Sequence, residues 1–447
     1  MLSPSADTIA AIATAQGRAG VGVIRISGND TQALAIGILG KLPVNRHATY
    51  SDFLGNNGDV LDQGIALYFP APNSFTGDDV LELQGHGGPA VMQLVLQRCL
   101  DLGARLAQPG EFTRRAFLNN KLDLAQAESV ADLIDANTSE AARSAMRSLR
   151  GEFSAAIHAL VDDLIYLRML VEAMLDFPEE EVDTIDLKQR DNLLNDIQSR
   201  LRHTLDIAKQ GSLLRDGAHV VIAGQPNAGK SSLLNRLSGE EVALVSDIPG
   251  TTRDVIRQAI QIRGIPLYIM DTAGLREAQD EVEKMGIART HQTLHRADLI
   301  LLLLDVNQGM TAQDEEILTG LPADIPCLLV FNKIDMMKAK IPVMAENKPF
   351  VTVSAKTGEG LEELRGKLLE MVGWQDQESG AFMARERHLR ALKLAQAHLT
   401  QAHIVLTSAE LFAEELRLAQ RALNEITGEF TPDDLLGQIF SRFCIGK

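Results

Sequence analysis

The sequence predicts a multidomain protein that combines α/β and α+β architecture, and three observations indicate this. At roughly 150 residues per domain, its 447 residues correspond to about three domains. Residues 1–120 mix short strands with short helices, whereas residues from 122 to about 210 have helical apolar spacing and almost no glycine. From about 211 to 374, short apolar runs lead into polar loops, as in buried parallel strands, and helical composition returns after about 382.

The N-terminal segment is predicted to contain three strands and a helix. Apolar runs closed by Gly or Pro predict strands over residues 21–27, 64–69 and 80–84, and helical spacing predicts a helix over residues 89–100. The glycine-rich residues 85–88 resemble the oxyanion turn of esterases. The chain has no G-x-S-x-G motif, so a tight turn is the prediction there.

Helical composition on both sides of the α/β segment predicts one helical domain made of two sequence halves, with the α/β domain inserted between them. The boundaries we predict are 1–120 for the N-terminal α+β domain, 121–211 with 378–447 for the helical domain, and 212–377 for the insertion. A helix break is predicted near Phe177 and Pro178. Separate helical domains are the alternative.

Composition excludes several classes of protein. The net charge of −17 argues against a general nucleic-acid coat protein, although a local basic patch for one structured RNA stays possible. The longest apolar run, residues 299–304, is too short to span a bilayer, and the N-terminus does not resemble a signal peptide. Cys99, Cys327 and Cys444 are too few and scattered for a disulfide framework or a zinc site, so we expect a cytoplasmic protein.

The strongest local signal is G-Q-P-N-A-G-K-S at residues 224–231. It fits G-x-x-x-x-G-K-[ST], follows an apolar strand and enters a helix at Ser232. The amides of residues 227–231 are expected to face the phosphates at this helix N-terminus. Lys230 is expected to bridge the β- and γ-phosphates, and Ser231 to ligate Mg²⁺.

Three further elements follow in the order typical of GTP-binding proteins. Asp271 ends a strand and is suited to hold Mg²⁺ through water, while the Gly274 amide is suited to sense the γ-phosphate. The Asp335 carboxylate can accept two hydrogen bonds from guanine, which adenine cannot offer, and residues 354–356 suit a backbone contact to guanine O6. Four elements at strand ends therefore predict a GTP site.

The loop of residues 246–254 occupies the switch position, with Thr252 as second Mg²⁺ ligand and Arg253 as either an arginine finger or a salt-bridge residue. Leu275 stands where Ras-type GTPases have the glutamine that orients water. Glu281 and Glu283 follow and are candidates for that task. A solvated acid at a helix start is the alternative for either glutamate.

The chain resembles the MnmE (TrmE) family of bacterial tRNA-modification GTPases over nearly its whole length. The residues that carry the resemblance are P-G-E-F-T-R-R-A-F-L at 109–118, K-L-D-L-A-Q-A-E at 121–128, D-L-I at 132–134, the loop containing Asn227, G-T-T-R-D at 250–254 and C-I-G-K at 444–447.

The resemblance implies an N-terminal tetrahydrofolate-binding and dimerisation domain, a discontinuous helical domain and an inserted Ras-like P-loop G domain. It implies a homodimer that joins an FAD-dependent partner of the MnmG (GidA) type in a heterotetramer. That pair adds aminomethyl or carboxymethylaminomethyl groups to carbon 5 of the tRNA wobble uridine. The one-carbon unit comes from a 5-formyl or 5,10-methylene tetrahydrofolate. The GTPase is implied to be potassium-stimulated and activated when two G domains meet.

The resemblance also assigns residues. It implies a K⁺ site at Asn227, Ser246, Ile248 and Thr251, and makes Glu283 rather than Glu281 the water-orienting residue. It implies folate binding by Arg25, Glu82, Lys121 and Lys447; an Arg–Glu pair without a ligand is the alternative for the first two. Cys444 becomes a candidate for the modification chemistry, with a packing role as the alternative. The residues expected to bind GTP are Asn227, Ala228, Gly229, Lys230, Ser231, Ser232, Ser246, Asp247, Ile248, Pro249, Gly250, Thr251, Thr252, Asp271, Thr272, Ala273, Gly274, Asn332, Lys333, Asp335, Ser354, Ala355 and Lys356.

Two other functions compete with a modification GTPase. One is a ribosome-assembly or signalling GTPase, which would be expected to carry an added basic RNA-binding module. The other is a stand-alone folate aminomethyltransferase with a regulatory G domain.

Overall fold

The computed structural model describes residues 7–176, 187–240, 256–271, 297–337, 348–375 and 380–428, together with Ile439, Phe443 and Gly446. Contacts divide the chain into two compact units. Unit 1 comprises Met1–Ile134, Ser148–Leu201 and Ala391–Lys447, and unit 2 comprises Asp135–Arg147 and Arg202–Arg390. None of the described helices is both long and apolar enough to cross a membrane.

Unit 1 begins with a mixed sheet in the order β3-β4-β5-β2-β1-β6. Its pairs are antiparallel except β1 with β6. The apolar residues of alternate strand positions pack with helices α1 and α2 in one core. The elements are β1 (Ile9–Ile12), β2 (Ala19–Ser27), α1 (Thr31–Leu39), β3 (Thr49–Leu54), β4 (Val60–Phe69), β5 (Val80–Gly87), α2 (Pro89–Asp101) and β6 (Arg105–Leu106).

The opposite face of this sheet is covered at β1 by the next helix, α3 (Glu111–Leu118). Phe112, which is fully buried, packs there against Ile9 and Ala11. These two residues alternate with the core-facing Ala10, as expected for a strand that is buried on both faces. The sheet therefore has a helix-covered core on one side and a second, smaller apolar cluster on the other.

Helices that lie before residue 202 and after residue 390 in the sequence pack together in unit 1. Arg168 donates to Gln420 Oε1 at 2.7 Å, and Gln198 Nε2 donates to the Leu399 carbonyl at 2.9 Å. The helices of unit 1 are α4 (Leu124–Asp135), α6 (Glu152–Asp176), the first half of α7 (Leu187–Asp216), most of α11 (Glu386–Ile404) and α12 (Ala409–Thr427), whereas α5 (Ser139–Leu149) belongs mainly to unit 2.

Unit 2 contains a sheet in the order β12-β11-β10-β7-β9-β8, parallel except where β8 pairs with β9. The six leucine and isoleucine residues of β10 alternate between two cores, one on each face, which confirms the predicted buried strand. The elements are β7 (Ala218–Gly224), α8 (Lys230–Glu240), β8 (Ile256–Ile262), β9 (Ile265–Asp271), β10 (Leu299–Asp305), α9 (Ala312–Thr319), β11 (Cys327–Asn332), β12 (Phe350–Thr352) and α10 (Leu361–Met371).

Two local predictions were wrong. Helix α8 begins at Lys230, two residues before the predicted Ser232, because the Gly229 carbonyl already accepts the amide of Leu233 at 2.9 Å. Residues 85–87 continue strand β5 instead of forming a tight turn. A Cβ on Gly85 would lie 2.2 Å from Asp62 Oδ2, so the glycine serves a close side-chain approach within the sheet. The predicted break at Phe177 and Pro178 lies outside the described residues.

Candidate functional site

The loop of residues 224–231, which we call the phosphate loop, joins β7 to α8 at the carboxyl edge of the parallel sheet. Three of its residues have positive φ: Gly224 at 139°, Asn227 at 67° and Gly229 at 98°. A Cβ would lie 2.4 Å from the Leu303 carbonyl oxygen at Gly224, and 2.3 Å from Asn332 Nδ2 at Gly229. Both glycines are therefore required by backbone conformation and by space.

The Lys230 ammonium lies inside the curve of the phosphate loop. Its Nζ donates to the carbonyls of Gly224 at 2.8 Å and Gln225 at 2.9 Å. Ser231 and Ser232 are exposed in the first turn of α8. A concave loop with a cation inside it, at a helix N-terminus, is an arrangement that favours an anionic ligand.

Asn332, at the end of β11, connects three loops. Its side chain is almost fully buried; Nδ2 donates to the Ala228 carbonyl at 2.9 Å. Its Oδ1 accepts the amides of Lys333 at 2.8 Å and Ala355 at 3.0 Å. The phosphate loop, the loop after β11 and the loop after β12 are thus held together by one amide side chain.

Asp335 and Ser354 meet beside this junction. Ser354 is fully buried, donates its hydroxyl to Asp335 Oδ1 at 2.6 Å and accepts the Thr357 amide at 3.1 Å. Asp335 itself is exposed, as is Lys356. The carboxylate is therefore fixed at one oxygen and open to solvent, in a position to accept hydrogen bonds from a ligand.

Lys333 is held by an acid from the neighbouring strand end. Its Nζ lies 2.8 Å from Asp305 Oδ2, where β10 ends. Burial acts to raise the pKa of Asp305, but the hydrogen bonds from Lys333 and from the Asn307 amide outweigh it and hold that pKa below its usual range. The Asp305 carboxyl is therefore ionised at neutral pH.

Asp271, at the end of β9, is also among the described residues and lies at the same edge of the sheet. It pairs with Ile222 of β7, two residues before the phosphate loop begins. The remaining predicted residues of this site lie outside the described residues: Ser246, Asp247, Ile248, Pro249, Gly250, Thr251, Thr252, Arg253, Thr272, Ala273, Gly274, Leu275, Glu281 and Glu283.

Arg25 and Glu82 face each other across β2 and β5 in unit 1. Both Arg25 Nε and Nη2 donate to Glu82 Oε1, at 3.0 and 2.8 Å, and the side chains stay 23% and 18% exposed. The Arg25 guanidinium lies 5.6 Å from the ring centre of Phe75 and 5.8 Å from that of Phe112. Neither aromatic residue was predicted, because an isolated aromatic residue in a loop or on a helix carries no spacing signal.

The C-terminal segment reaches this pair. Arg25 Nη1 donates to the Gly446 carbonyl at 3.4 Å, and a Cβ on Gly446 would lie 2.4 Å from the Ile12 carbonyl oxygen. Phe443 and Ile439 are buried against α4 in a cluster with Leu124 and Ala127. Cys444 and Lys447 lie outside the described residues; of their described neighbours, Phe443 packs against α4 and Gly446 contacts the first sheet of unit 1.

Lys121 occupies a different position from the other residues that the resemblance assigns to folate. Its Nζ donates to the Pro72 carbonyl at 3.0 Å, in the same β4–β5 connection that carries Phe75. The structure thus joins Arg25, Glu82 and the C-terminal segment directly, and Lys121 to the adjoining loop.

Comparison with known proteins gives the same family over both units. A family model described as the MnmE helical domain matches residues 124–444, and one described as the GTP-binding protein TrmE N-terminus matches residues 8–121. The tRNA modification GTPase MnmE of Nitrosomonas europaea is 60% identical over 99% of this chain and 100% of its own length. That of Chromobacterium violaceum is 57% identical over the full length of both chains. The chain therefore belongs to the MnmE family.

Proposed function

We propose that this protein is a GTPase of tRNA modification, which binds GTP at the phosphate loop and hydrolyses it. The observation that carries the proposal is the junction at Asn332, which brings a cation-containing loop and an open carboxylate to one sheet edge. Relatives that align over their whole length are named tRNA modification GTPases, which supports the same activity.

Guanine recognition is assigned to the loops after β11 and β12. Asp335 offers a carboxylate oxygen for the guanine N1–H and amine, and Ser354 fixes its orientation. The Ala355 backbone and the exposed Lys356 are assigned to the contact with guanine O6. Lys333, anchored by Asp305, flanks the same position.

Mg²⁺ fits the hard oxygen donors of this edge. The Ser231 hydroxyl is exposed at the start of α8, and Asp271 ends the strand next to β7. With Thr252, these residues would hold the ion, which neutralises charge on the β- and γ-phosphates. We assign K⁺ to Asn227, Ser246, Ile248 and Thr251, and the orientation of the attacking water to Glu283, with activation when two G domains pair.

The modification chemistry is assigned to unit 1. We propose that the protein works as a cytoplasmic homodimer with an FAD-dependent partner of the MnmG type on the wobble uridine of tRNA. Arg25 and Glu82 are partly exposed and flanked by Phe75, which suits a flat heterocycle with an amino-pyrimidine edge such as a folate. The docked C-terminal segment would bring Cys444 and Lys447 to that ligand.

Mass spectrometry of bulk tRNA tests this function. A strain that lacks the gene is expected to lose the wobble-uridine modification and to regain it when the parent chain is supplied. A Lys230→Ala chain is expected not to restore it, whereas Lys367→Ala, which alters a partly exposed lysine paired with Glu370 on α10, should restore it. Unchanged wobble uridines in the deletion strain would contradict the proposal and favour a ribosome-assembly or signalling role.

A further inference from the structure

Gln225 is the second residue of the phosphate loop, and its side chain contacts a helix that carries none of the nucleotide motifs. Its Nε2 donates to Thr311 Oγ1 at 2.6 Å. Thr311 lies 86 positions away in the sequence and is the N-cap residue of α9, directly before Ala312. The first turn of the phosphate loop is therefore fastened to the start of α9.

Thr311 is itself fixed by a capping box. Its hydroxyl donates to Asp314 Oδ2 at 2.8 Å and accepts the Asp314 amide at 3.3 Å, and Asp314 is 3% exposed. Because the single hydroxyl proton is directed to Asp314, the remaining lone pair of Thr311 can only accept, and Gln225 must donate. The three side chains form a chain of hydrogen bonds with one defined direction.

The surroundings of Gln225 make this contact important for the shape of the loop. A cavity of about 50 Å³ separates the phosphate loop from the segment after β10, and Gln225, Asn227, Asp305, Asp314 and Lys333 are among the residues that line it. Pro226, Ala228, Leu303 and Leu304 line the same cavity, so this side of the loop meets both polar and apolar groups. Hydrogen bonds therefore contribute to holding the loop in position.

A bound nucleotide would affect the Gln225–Thr311 hydrogen bond differently from the hydrogen bonds that Lys230 makes to the loop. Lys230 holds the Gly224 and Gln225 carbonyls in this structure, but a lysine at this position of a phosphate-binding loop reaches the β- and γ-phosphates when they are bound. An ammonium has three N–H donors, so a Lys230 that also binds phosphate oxygens has fewer donors left for these two carbonyls. The Gln225–Thr311 bond involves no atom that a nucleotide contacts and would remain.

We propose that Gln225, Thr311 and Asp314 form a positioning chain that keeps the first turn of the phosphate loop in its nucleotide-binding shape once Lys230 has turned to the phosphates. Gln225 is thereby a positioning residue for GTP, and α9 is the element that it depends on. The inference rests on the proposed GTP binding and adds to it a segment outside the nucleotide motifs.

Equilibrium binding of fluorescent GTP and GDP to the full-length protein tests the positioning chain. Gln225→Met removes the donor at similar volume, and Thr311→Val removes the hydroxyl. Each is expected to weaken both nucleotides about three- to tenfold, which is the range for one lost hydrogen bond. Thr311→Ser keeps the hydroxyl and should bind within about twofold of the parent. Thr319→Val is the matched control, because Thr319 is an exposed threonine at the other end of α9 whose hydroxyl contacts only its own helix.

The double variant separates positioning from simple loss of a helix cap. Gln225→Met in the Thr311→Val background should cause no further loss, because the two residues act through one bond. KM for GTP should rise in the single variants while kcat stays near the parent value, since the contact serves bound substrate and transition state alike. Thr311→Val alone should also lower the melting temperature, whereas Gln225→Met leaves the cap intact.

Three results would overturn the positioning chain: parent-like affinity in Gln225→Met, additive losses in the double variant, or a Thr311→Val variant that melts earlier but binds GTP normally. A parent protein that fails to bind GTP would instead overturn the proposed function itself.

Discussion

The nucleotide edge of unit 2 and the Arg25–Glu82 pair of unit 1 are built in opposite ways. At the nucleotide edge, the functional groups lie in loops that each follow a strand, and each loop carries its groups in a short sequence motif, such as Asn332, Lys333 and Asp335. In unit 1 they lie in the middle of paired strands. Arg25 and Glu82 are 57 positions apart, and Arg25 and Gly446 are 421 apart.

Because of this difference, the two sites are expected to respond differently to side-chain substitution. The loop site is shaped by its backbone and gathered by Asn332, so a single side chain can be exchanged to alter what binds while the loops stay in place. The strand site consists of side chains that are partners of one another, so each loss leaves a charged group without its partner.

Asp335→Asn gives the largest expected effect and tests the independence of the loop site. Affinity for GTP should fall roughly a hundredfold or more, since two hydrogen bonds to a charged acceptor are lost. Xanthosine triphosphate should become the preferred nucleotide, because xanthine has a carbonyl where guanine has its amine. Competition binding with both nucleotides measures this, with Asp324→Asn, an exposed acid of the same unit, as control. An unchanged preference for guanine would show that another residue reads the base.

Removal of residues 443–447 tests the strand site and should affect unit 1 only. Affinity for 5-formyl-tetrahydrofolate should drop at least about tenfold, since Arg25 loses a carbonyl partner and Lys447 is absent. Calorimetry measures this, and GTP hydrolysis should continue at the parent rate. Gly446→Ala is the finer variant, because its Cβ would collide with the Ile12 carbonyl and displace the segment without shortening it. Full folate affinity in both variants would remove the C-terminal segment from the site.

The proposed K⁺ site should show a several-fold effect on hydrolysis. Turnover is expected to be faster in K⁺ than in Na⁺ at equal ionic strength, and to rise with protein concentration, because G-domain pairing is part of the proposal. Asn227→Ala should remove the difference between the two salts while GTP binding persists. Phosphate release assays in both salts measure this. Equal rates in the parent protein would contradict the site.

The smallest effect concerns the stability of unit 1 and its dependence on pH. Burial acts to raise the pKa of Glu111, but hydrogen bonds from Arg105, the Gln108 amide and Arg115 hold it below its usual value. Because the folded pKa is the lower one, this stabilisation is present above the ordinary glutamate pKa and is lost as pH falls through the folded value. Glu111→Gln should therefore lower the melting temperature by a few degrees at pH 7.

The same comparison at low pH provides the check. The gap between parent and Glu111→Gln melting temperatures should narrow as the pH falls below about 4, the ordinary glutamate pKa, because the unfolded chain then takes up a proton that the folded protein resists. Glu410→Gln controls for the helix dipole, since Glu410 is also an acid in the first turn of a helix but is exposed. An equal gap at both pH values would mean that the charge of Glu111 does not stabilise the fold.

The contrast between the loop site and the strand site also explains how much of each region the sequence predicted. The parallel strands of unit 2 were located because parallel strands buried on both faces are continuous apolar runs, as in residues 299–304, whereas the antiparallel edge strand β8 was not. Strands β1, β3 and β6 were not located, because β1 and β6 are short and β3 is largely polar at the sheet edge. The role of Gly85 was misjudged because a close approach by Asp62 has no local signature in the sequence.

The functional residues show the same division. The positions of Lys230, Asn332 and Asp335 follow from short motifs, whose spacing is set by a loop of fixed length. The Gln225–Thr311 bond and the aromatic rings around Arg25 depend on contacts between distant segments, and no periodic pattern links such residues. The resemblance to a family named Arg25 and Glu82, and an Arg–Glu pair was the alternative; the fold adds the register that places them opposite each other on β2 and β5.

The docking of Gly446 beside Ile12 and Arg25 has a consequence for how the chain is made. Ribosomes add about 5–20 residues per second, so roughly 20–80 s separate the synthesis of Arg25 from that of Gly446, 421 positions later. During that interval the first sheet has been produced but the segment that covers its β1–β2 end has not. A sheet that is made early is thus completed by a segment made much later, and a nascent chain released before residue 446 would have an Arg25 that lacks its hydrogen bond to the Gly446 carbonyl.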